Sequence, residues 1–286
     1  PDEIEDPRPW CEIIRKWSTF HPEFSFLPRK FKIAVTGSEN DRAAIKVHDI
    51  GLKLKKREEK IGFEVFVGGG QGRSPFIAKK INDFLEKRDL LNYLEAILST
   101  YNELGRRDNI YKARIKILVN ELGVEKLKKI VDEKFKKISH KDLEISQTEI
   151  DEIFSYFELP IKKIVSSEIP DVENKNYKNW IKQNVIKHKV EGYSIVIISL
   201  KPPGKAPGDA SSLQMRELSK MARDFSFGEI RVTHEQNLVL PHVINSNLYD
   251  LWKLLDYHCL STPNIGLISD TICCPGLDYC ALATAR

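Results

Sequence analysis

The chain lacks any long hydrophobic run: its longest apolar stretch, Tyr193 to Leu200, falls far short of the ~20 residues that a membrane helix needs. Its first thirty residues hold no signal-peptide core either. Both absences argue for a soluble, cytoplasmic protein that does not engage a membrane. An excess of one charge is missing too, because 45 Lys and Arg face 41 Asp and Glu, for a net charge of +4. That is too little to argue for a nucleic-acid partner. The five cysteines are an odd number with no secretory signal, which speaks against a disulfide framework and for a reducing compartment. What is present is a foldable composition, 41% hydrophobic and 30% charged over 286 residues. At roughly 150 residues per domain, this makes one large or two ordinary domains.

From Phe31 to Val67 the sequence alternates as strands do, in FKIAVT, AAIKVHDIGLKLKK and FEVFVGGG, and predicts a small sheet. The opening PDEIEDPRPW has no apolar periodicity, so no packed first element is expected there. From Ile77 to about Phe157 the period turns helical, with Leu90, Leu91, Leu94, Ile97, Leu98 and Tyr101 in one stripe. Gly105 and Gly123 read as helix stops, and Ser146 with Glu149 has the spacing of a capping box. Lys126, Lys128, Lys129, Lys134, Lys136 and Lys137 alternate with Leu127, Val131 and Phe135 at helical spacing and read as a solvated face. Pro160 to Asn176 reads as a linker. Beyond it, a strand (Tyr193–Leu200), a helix (Ser212–Phe225), two short strands (Glu229–Thr233 and Asn237–Leu240) and a helix (Leu248–Tyr257) have the order of a ferredoxin-like α+β unit. Ile265 to Arg286 reads as the start of a further element.

Cys274 and Cys280 are separated by five residues in CPGLDYC, where Pro275 and Gly276 favour a turn that lets both sulfurs face one centre. Paired thiolates suit iron–sulfur clusters or zinc. A closed zinc site takes four ligands, and neither His242 nor His258 has the spacing to supply them. Taken by themselves, the residues leave two readings open, metal ligation and small buried cysteines.

The stretch TICCPGLDYCALATAR resembles the first cluster motif of the sulfite and nitrite reductase haemoproteins, in which a C-x5-C pair and a later C-x3-C pair hold a [4Fe-4S] cluster against a sirohaem. LPRKFKIAVTG (27–37), HDIGL (48–52), VGGGQGRSP (67–75) and GEIRVTHEQNLVLPHV (228–243) are similar to segments of that family in the same order, and CPGLDYC looks like the bacterial nitrite/sulfite branch. The resemblance implies an α+β fold: a sirohaem/[4Fe-4S] reductase domain at 1–163, a ferredoxin-like half-domain at 164–258, and at 259–286 the start of a second sirohaem/[4Fe-4S] domain. It implies a six-electron, assimilatory reduction of sulfite to sulfide, with nitrite to ammonia as the alternative, fed by a ferredoxin or flavoprotein donor. It also implies a piece of a longer protein, because the C-x3-C motif would follow Arg286 and the family's amino-terminal half-repeat would precede Pro1.

By the same resemblance, Cys274 and Cys280 are cluster ligands, with Cys273 a less suitable substitute. Lys30 and Lys32, two apart and so on one side of an extended chain, would bind the substrate anion and donate protons, and Arg29 would pair with sirohaem carboxylates. Gly68, Gly69 and Gly70 would allow close approach of the backbone to the cofactor, with Arg73 as a carboxylate partner. Arg231, Thr233, Gln236 and Asn237 would border the sirohaem. The bland reading of each is available: a basic strand entry, a turn, and cross-strand pairing on a sheet face. A dinucleotide site is disfavoured because GGGQG lacks GxGxxG spacing. The rival from another class is a cofactor-free scaffold whose basic helix binds a partner.

Overall fold

The computed structural model describes residues 2–138, 143, 145–158, 161, 167–274 and 276–284. The chain divides into two compact units, 2–158 and 159–286. No helix among the described residues is long and apolar enough to cross a membrane.

In the first unit, α1 (Arg8–Ser18) precedes a four-stranded sheet of β1 (Ile33–Thr36), β2 (Ile50–Arg57), β3 (Lys60–Val67) and β4 (Lys79–Glu86), ordered β1-β2-β3-β4. The first pair is parallel and the other two are antiparallel. Helices α2 (Leu90–Leu104), α3 (Ile115–Leu122), α4 (Val124–Lys137) and α5 (Gln147–Ser155) follow. The core joins Leu52, Leu54, Phe63 and Val65 of the sheet to Leu94, Ile97 and Tyr101 of α2 and to Leu127 and Val131 of α4. Gly105 and Gly123 follow the last residues of α2 and α3, and Ser146 and Glu149 form the capping box that opens α5. On α4, Lys126, Lys129, Lys136 and Lys137 are exposed.

Two expectations fail here. PDEIEDPRPW contributes to a packed element: Trp10 on α1 is fully buried against Phe63, and its indole N–H donates to Glu5 at 2.6 Å. The helical period does not begin at Ile77, since 79–86 is a strand. Ile81 and Leu85, the buried pair of β4, are four apart, a spacing that puts side chains on one face of either a helix or a strand. Exposed Asp83 between them hides the alternation, and the register against β3 shifts there, as at a β-bulge.

The second unit begins with α6 (Lys175–Asn184), so the expected linker gives way to helix at Lys175; its residues 160 and 162–166 lie outside the described ones. Then come β5 (Val185–Lys187), β6 (Tyr193–Ser199), α7 (Ser212–Phe225), β7 (Arg231–Val232), β8 (Asn237–Ile244) and α8 (Leu248–Tyr257). The sheet is antiparallel, ordered β5-β6-β8-β7. Its buried face, with Val196, Ile198 and Leu240, packs with Trp180, Leu218, Leu251 and Trp252 of the helices. The segment after α8 contains only short 3-10 turns at Ile268–Asp270 and Gly276–Asp278 among its described residues.

Candidate functional site

Lys30 and Lys32 precede β1, both exposed, while Phe31 between them turns inward against Tyr101 at 5.5 Å between ring centres. The alternation therefore puts both ammonium groups on the outer side. The backbone at Lys32 is held from both ends: its N–H donates to Asp49 at 2.9 Å and its carbonyl accepts from Ile50 at 3.1 Å. Asp49 belongs to HDIGL and is fully buried, a position that a carboxylate occupies at acceptable cost only when paired. Its partner is Arg114, which donates from Nε at 3.0 Å and from Nη2 at 2.5 Å. Burial, with the Asp49 charge nearby, pushes the Tyr101 hydroxyl up to about 12. Neither Lys30 nor Lys32 has an ion-pair partner among the described residues. Arg29 is placed differently. Its guanidinium donates to the carbonyl of Ile110, and Arg29 and Lys30 border an open cleft of about 580 Å³ lined also by Trp17, Phe31 and Leu98.

The glycine run is explained by packing within the unit. A Cβ on Gly68 would lie 2.7 Å from Val119 of α3, and Gly68 has a positive φ of 87°. On Gly69 it would lie 2.3 Å from the Lys46 carbonyl oxygen, and on Gly70, 2.8 Å from the stem of Lys116. The side of each glycine that lacks a Cβ thus faces protein. Lys116 is buried and donates to the carbonyls of Gln71 and Ser74, both at 2.7 Å, so a cation closes the loop from inside. Burial, then the charge of Arg114, pulls the Lys116 pKa down. Outside, the loop presents Arg73, exposed and without an ion-pair partner among the described residues.

In the second unit, the residues expected beside a cofactor fall into two groups. Arg231, on the edge strand β7, pairs with Glu229 at 2.6 Å, and the other Glu229 oxygen lies 3.2 Å from His242 Nε2. The turn from 233 to 237 is built by the other three. Thr233 Oγ1 accepts from the N–H groups of Glu235 and Asn237 at 3.2 and 3.0 Å. Asn237 is buried, with its amide spent on Asp270 at 2.9 Å and on the N–H of Leu200 at 3.3 Å. Gln236, at a φ of 58°, turns its amide onto the cysteine segment: Nε2 donates to the Cys273 carbonyl at 2.8 Å, and Oε1 accepts from the Cys273 N–H at 3.0 Å.

Those two bonds bring the RVTHEQN turn against the first residue of CCPGLDYC. Cys273 and Cys274 are exposed and Cys280 is half-buried, all as free thiols. Cys280 N–H donates to the Gly276 carbonyl at 2.9 Å, closing the turn, and Gly276 has a φ of 62°; Pro275 lies outside the described residues. No group of three or more His, Cys, Asp or Glu side chains gathers as a metal site among the described residues. The donor set is a pair of soft thiols on one turn, which matches half of a four-cysteine cluster site. Sequence reasoning missed Arg114, Lys116, Lys201 and Asp270. Lys116 and Lys201 are buried and Arg114 and Asp270 are partly so, and only the tertiary structure reveals the partner of each.

Two family models match the chain. The one described as the nitrite and sulphite reductase 4Fe-4S domain covers residues 1–139, and the one described as the nitrite/sulfite reductase ferredoxin-like half domain covers 188–257. Among curated proteins, the chain is 26% identical to the chloroplastic ferredoxin–nitrite reductase of Arabidopsis thaliana, over 99% of this chain and 44% of that protein. It is 24% identical to sulfite reductase [ferredoxin] 1 of Mycolicibacterium paratuberculosis, over 100% of this chain and 45% of that protein. The solved structure of the Mycobacterium tuberculosis NirA protein matches with a TM-score of 0.62 at 24% identity, over 92% of this chain and 42% of that one. The chain therefore spans less than half the length of these relatives.

Proposed function

We propose, from the premise that the chain belongs to the nitrite and sulphite reductase family, that the protein it represents carries out the six-electron reduction of a small oxyanion, sulfite to sulfide or nitrite to ammonia. The family is one of oxidoreductases, and its cofactors are sirohaem and a [4Fe-4S] cluster. When bound, that pair would pass on electrons from an external donor and provide a metal centre for the anion.

The observation that carries this reading is the paired, outward Lys30 and Lys32 on a backbone locked by buried Asp49. Two exposed cations on a held backbone, without a carboxylate partner among the described residues, are suited to neutralise an incoming anion and to bond its oxygens. Each ammonium can also release a proton from Nζ to an oxygen departing as water, to be reprotonated from solvent. Arg73, exposed at its loop, suits a cofactor carboxylate. Arg29 and Arg231 would reach one by exchanging the Ile110 carbonyl and Glu229, their present partners. Gly68, Gly69 and Gly70 shape the loop that carries Arg73, while Thr233, Gln236 and Asn237 hold the turn beside the cysteines. Cys274 and Cys280 supply two cluster thiolates.

Among the relatives named above, the Arabidopsis protein is called a nitrite reductase and the mycobacterial one a sulfite reductase, and both names specify ferredoxin. We take ferredoxin as the donor in preference to a flavoprotein. The test is turnover of the full-length protein with reduced ferredoxin, measured with sulfite and with nitrite, in the wild type and in Lys30→Ala/Lys32→Ala. Loss of turnover with unchanged cofactor absorbance is expected, and the better wild-type substrate names the reductase. Full turnover in the double variant would remove these lysines from the reaction.

A further inference from the structure

Lys201 follows β6, with its side chain only 2% exposed. Its ammonium has three protons and three acceptors: the Asp270 carboxylate at 2.6 Å, the Asp270 carbonyl at 2.8 Å and the Glu235 carbonyl at 2.5 Å. Asp270 is satisfied in turn. Asn237 Nδ2 donates to Oδ1 at 2.9 Å, and the Gly266 N–H donates to Oδ2 at 2.9 Å. Asn264 closes the ring by donating to the Lys201 carbonyl at 3.0 Å. Three stretches of chain that are distant in sequence, 200–201, 235–237 and 264–270, are thereby tied at one buried point.

A buried ion pair is an inefficient source of stability, since well-packed apolar side chains of similar volume serve as well or better. What this pair specifies is geometry. Two of the three bonds from Lys201 go to backbone carbonyls, one in the 233–237 turn and one in the segment that leads to the cysteines. One residue beyond Glu235, Gln236 grips the backbone of Cys273 with two hydrogen bonds. Burial raises the pKa of the Asp270 carboxyl, but hydrogen bonds from Asn237, Gly266 and Lys201 outweigh it and hold the pKa below the usual range. The carboxylate is thus ionised at neutral pH and able to serve as the centre of the ring.

We propose that Lys201, acting through Asp270 and the Gln236 turn, is a positioning residue that sets where Cys274 and Cys280 present their thiolates, and so controls how firmly the protein holds its iron–sulfur cluster. The proposal rests on the reading of those two cysteines as cluster ligands. Lys201 touches neither substrate nor metal; it fixes the segment on which the ligands stand.

The test compares full-length wild type with Lys201→Met and with Gln236→Ala, the latter a half-buried surface change that spares the core if the former fails to fold. Two quantities are read: backbone hydrogen exchange across 264–280, and the rate at which a chelator removes cluster iron, followed with the EPR signal of the reduced cluster. Both variants should exchange faster in 264–280 and lose iron about tenfold faster, with exchange in 2–158 unchanged. A variant that folds and keeps wild-type iron, EPR signal and rate of iron loss would overturn the proposal. Cys274→Ser tests the underlying reading by itself: if it kept its full cluster, Cys274 would not be a ligand, whatever the exchange data for Lys201→Met show.

Discussion

The imidazoles of His188 and His242 meet nitrogen to nitrogen, Nε2 to Nδ1, at 3.2 Å inside the second unit. Val190 N–H donates to His188 Nδ1 at 2.8 Å, which leaves the His188 proton on Nε2, pointing at His242 Nδ1. The His242 proton then sits on Nε2 and faces Glu229 at 3.2 Å. Both rings are neutral in this arrangement, and burial, the largest influence on each, lowers both pKa values below 6.5.

A pH dependence of stability follows. The folded protein binds fewer protons at these rings than the unfolded chain does, so their contribution is complete above about pH 6.5 and is lost as pH falls through the depressed folded values. Thermal melts from pH 8 to 5 should show a falling Tm below about pH 6.5. Substituting His242→Phe should flatten that fall. An acid limb of the same depth in the variant would place the titration elsewhere.

Removing the Asp49 carboxylate should be among the most damaging single changes in the first unit. Asp49→Ala strips Arg114 of its partner and leaves the Lys32 N–H unbonded. A loss of ~3–5 kcal/mol in urea unfolding is expected. A loss under about 1 kcal/mol would mean that the pair does not lock the strand entry.

The glycines separate two accounts of the VGGGQG loop. If internal packing requires them, Gly69→Ala should destabilise the cofactor-free chain by ~2 kcal/mol or more, because its Cβ meets backbone oxygens of Lys46 and His48. Gly72→Ala, with open space around it but a φ of 97°, should cost only about 1–2 kcal/mol of backbone strain. A cofactor-free Gly69→Ala chain of wild-type stability would return that glycine to a ligand-facing role.

The second unit is legible from β6 onward, because α7 and α8 have clean helical spacing and β6 and β8 are apolar runs bounded by turn residues, whereas α6 and β5 ahead of them go unread. In the first unit, β4 was hidden by Asp83, and α1 by proline and acidic residues ahead of Trp10. The candidate residues were found by motif, yet motif did not reveal what their side chains do here. Asn237 reads as the first residue of a strand on a sheet face, and the bond from its amide to Asp270, thirty-three positions later, is seen only in the fold. The glycine run reads as a ligand cradle, and the packing of α3 and the Lys46 turn against it, a second reason for glycine there, is visible only in the fold. Lys116 and Lys201 carry no local signal, since a lysine is normally a surface residue, and only the carbonyls that converge on each reveal its purpose.

The central claim, that Cys274 and Cys280 are cluster ligands of a sirohaem reductase, is tested most directly by iron and acid-labile sulfide analysis with absorption spectra on the anaerobically purified full-length protein. Wild type should carry sirohaem bands and about five irons per chain. Cys274→Ser and Cys280→Ser should each lose the cluster iron, and Cys273→Ser should retain it. Full iron and sulfide in Cys274→Ser, or an iron-free, colourless wild type, would contradict the account.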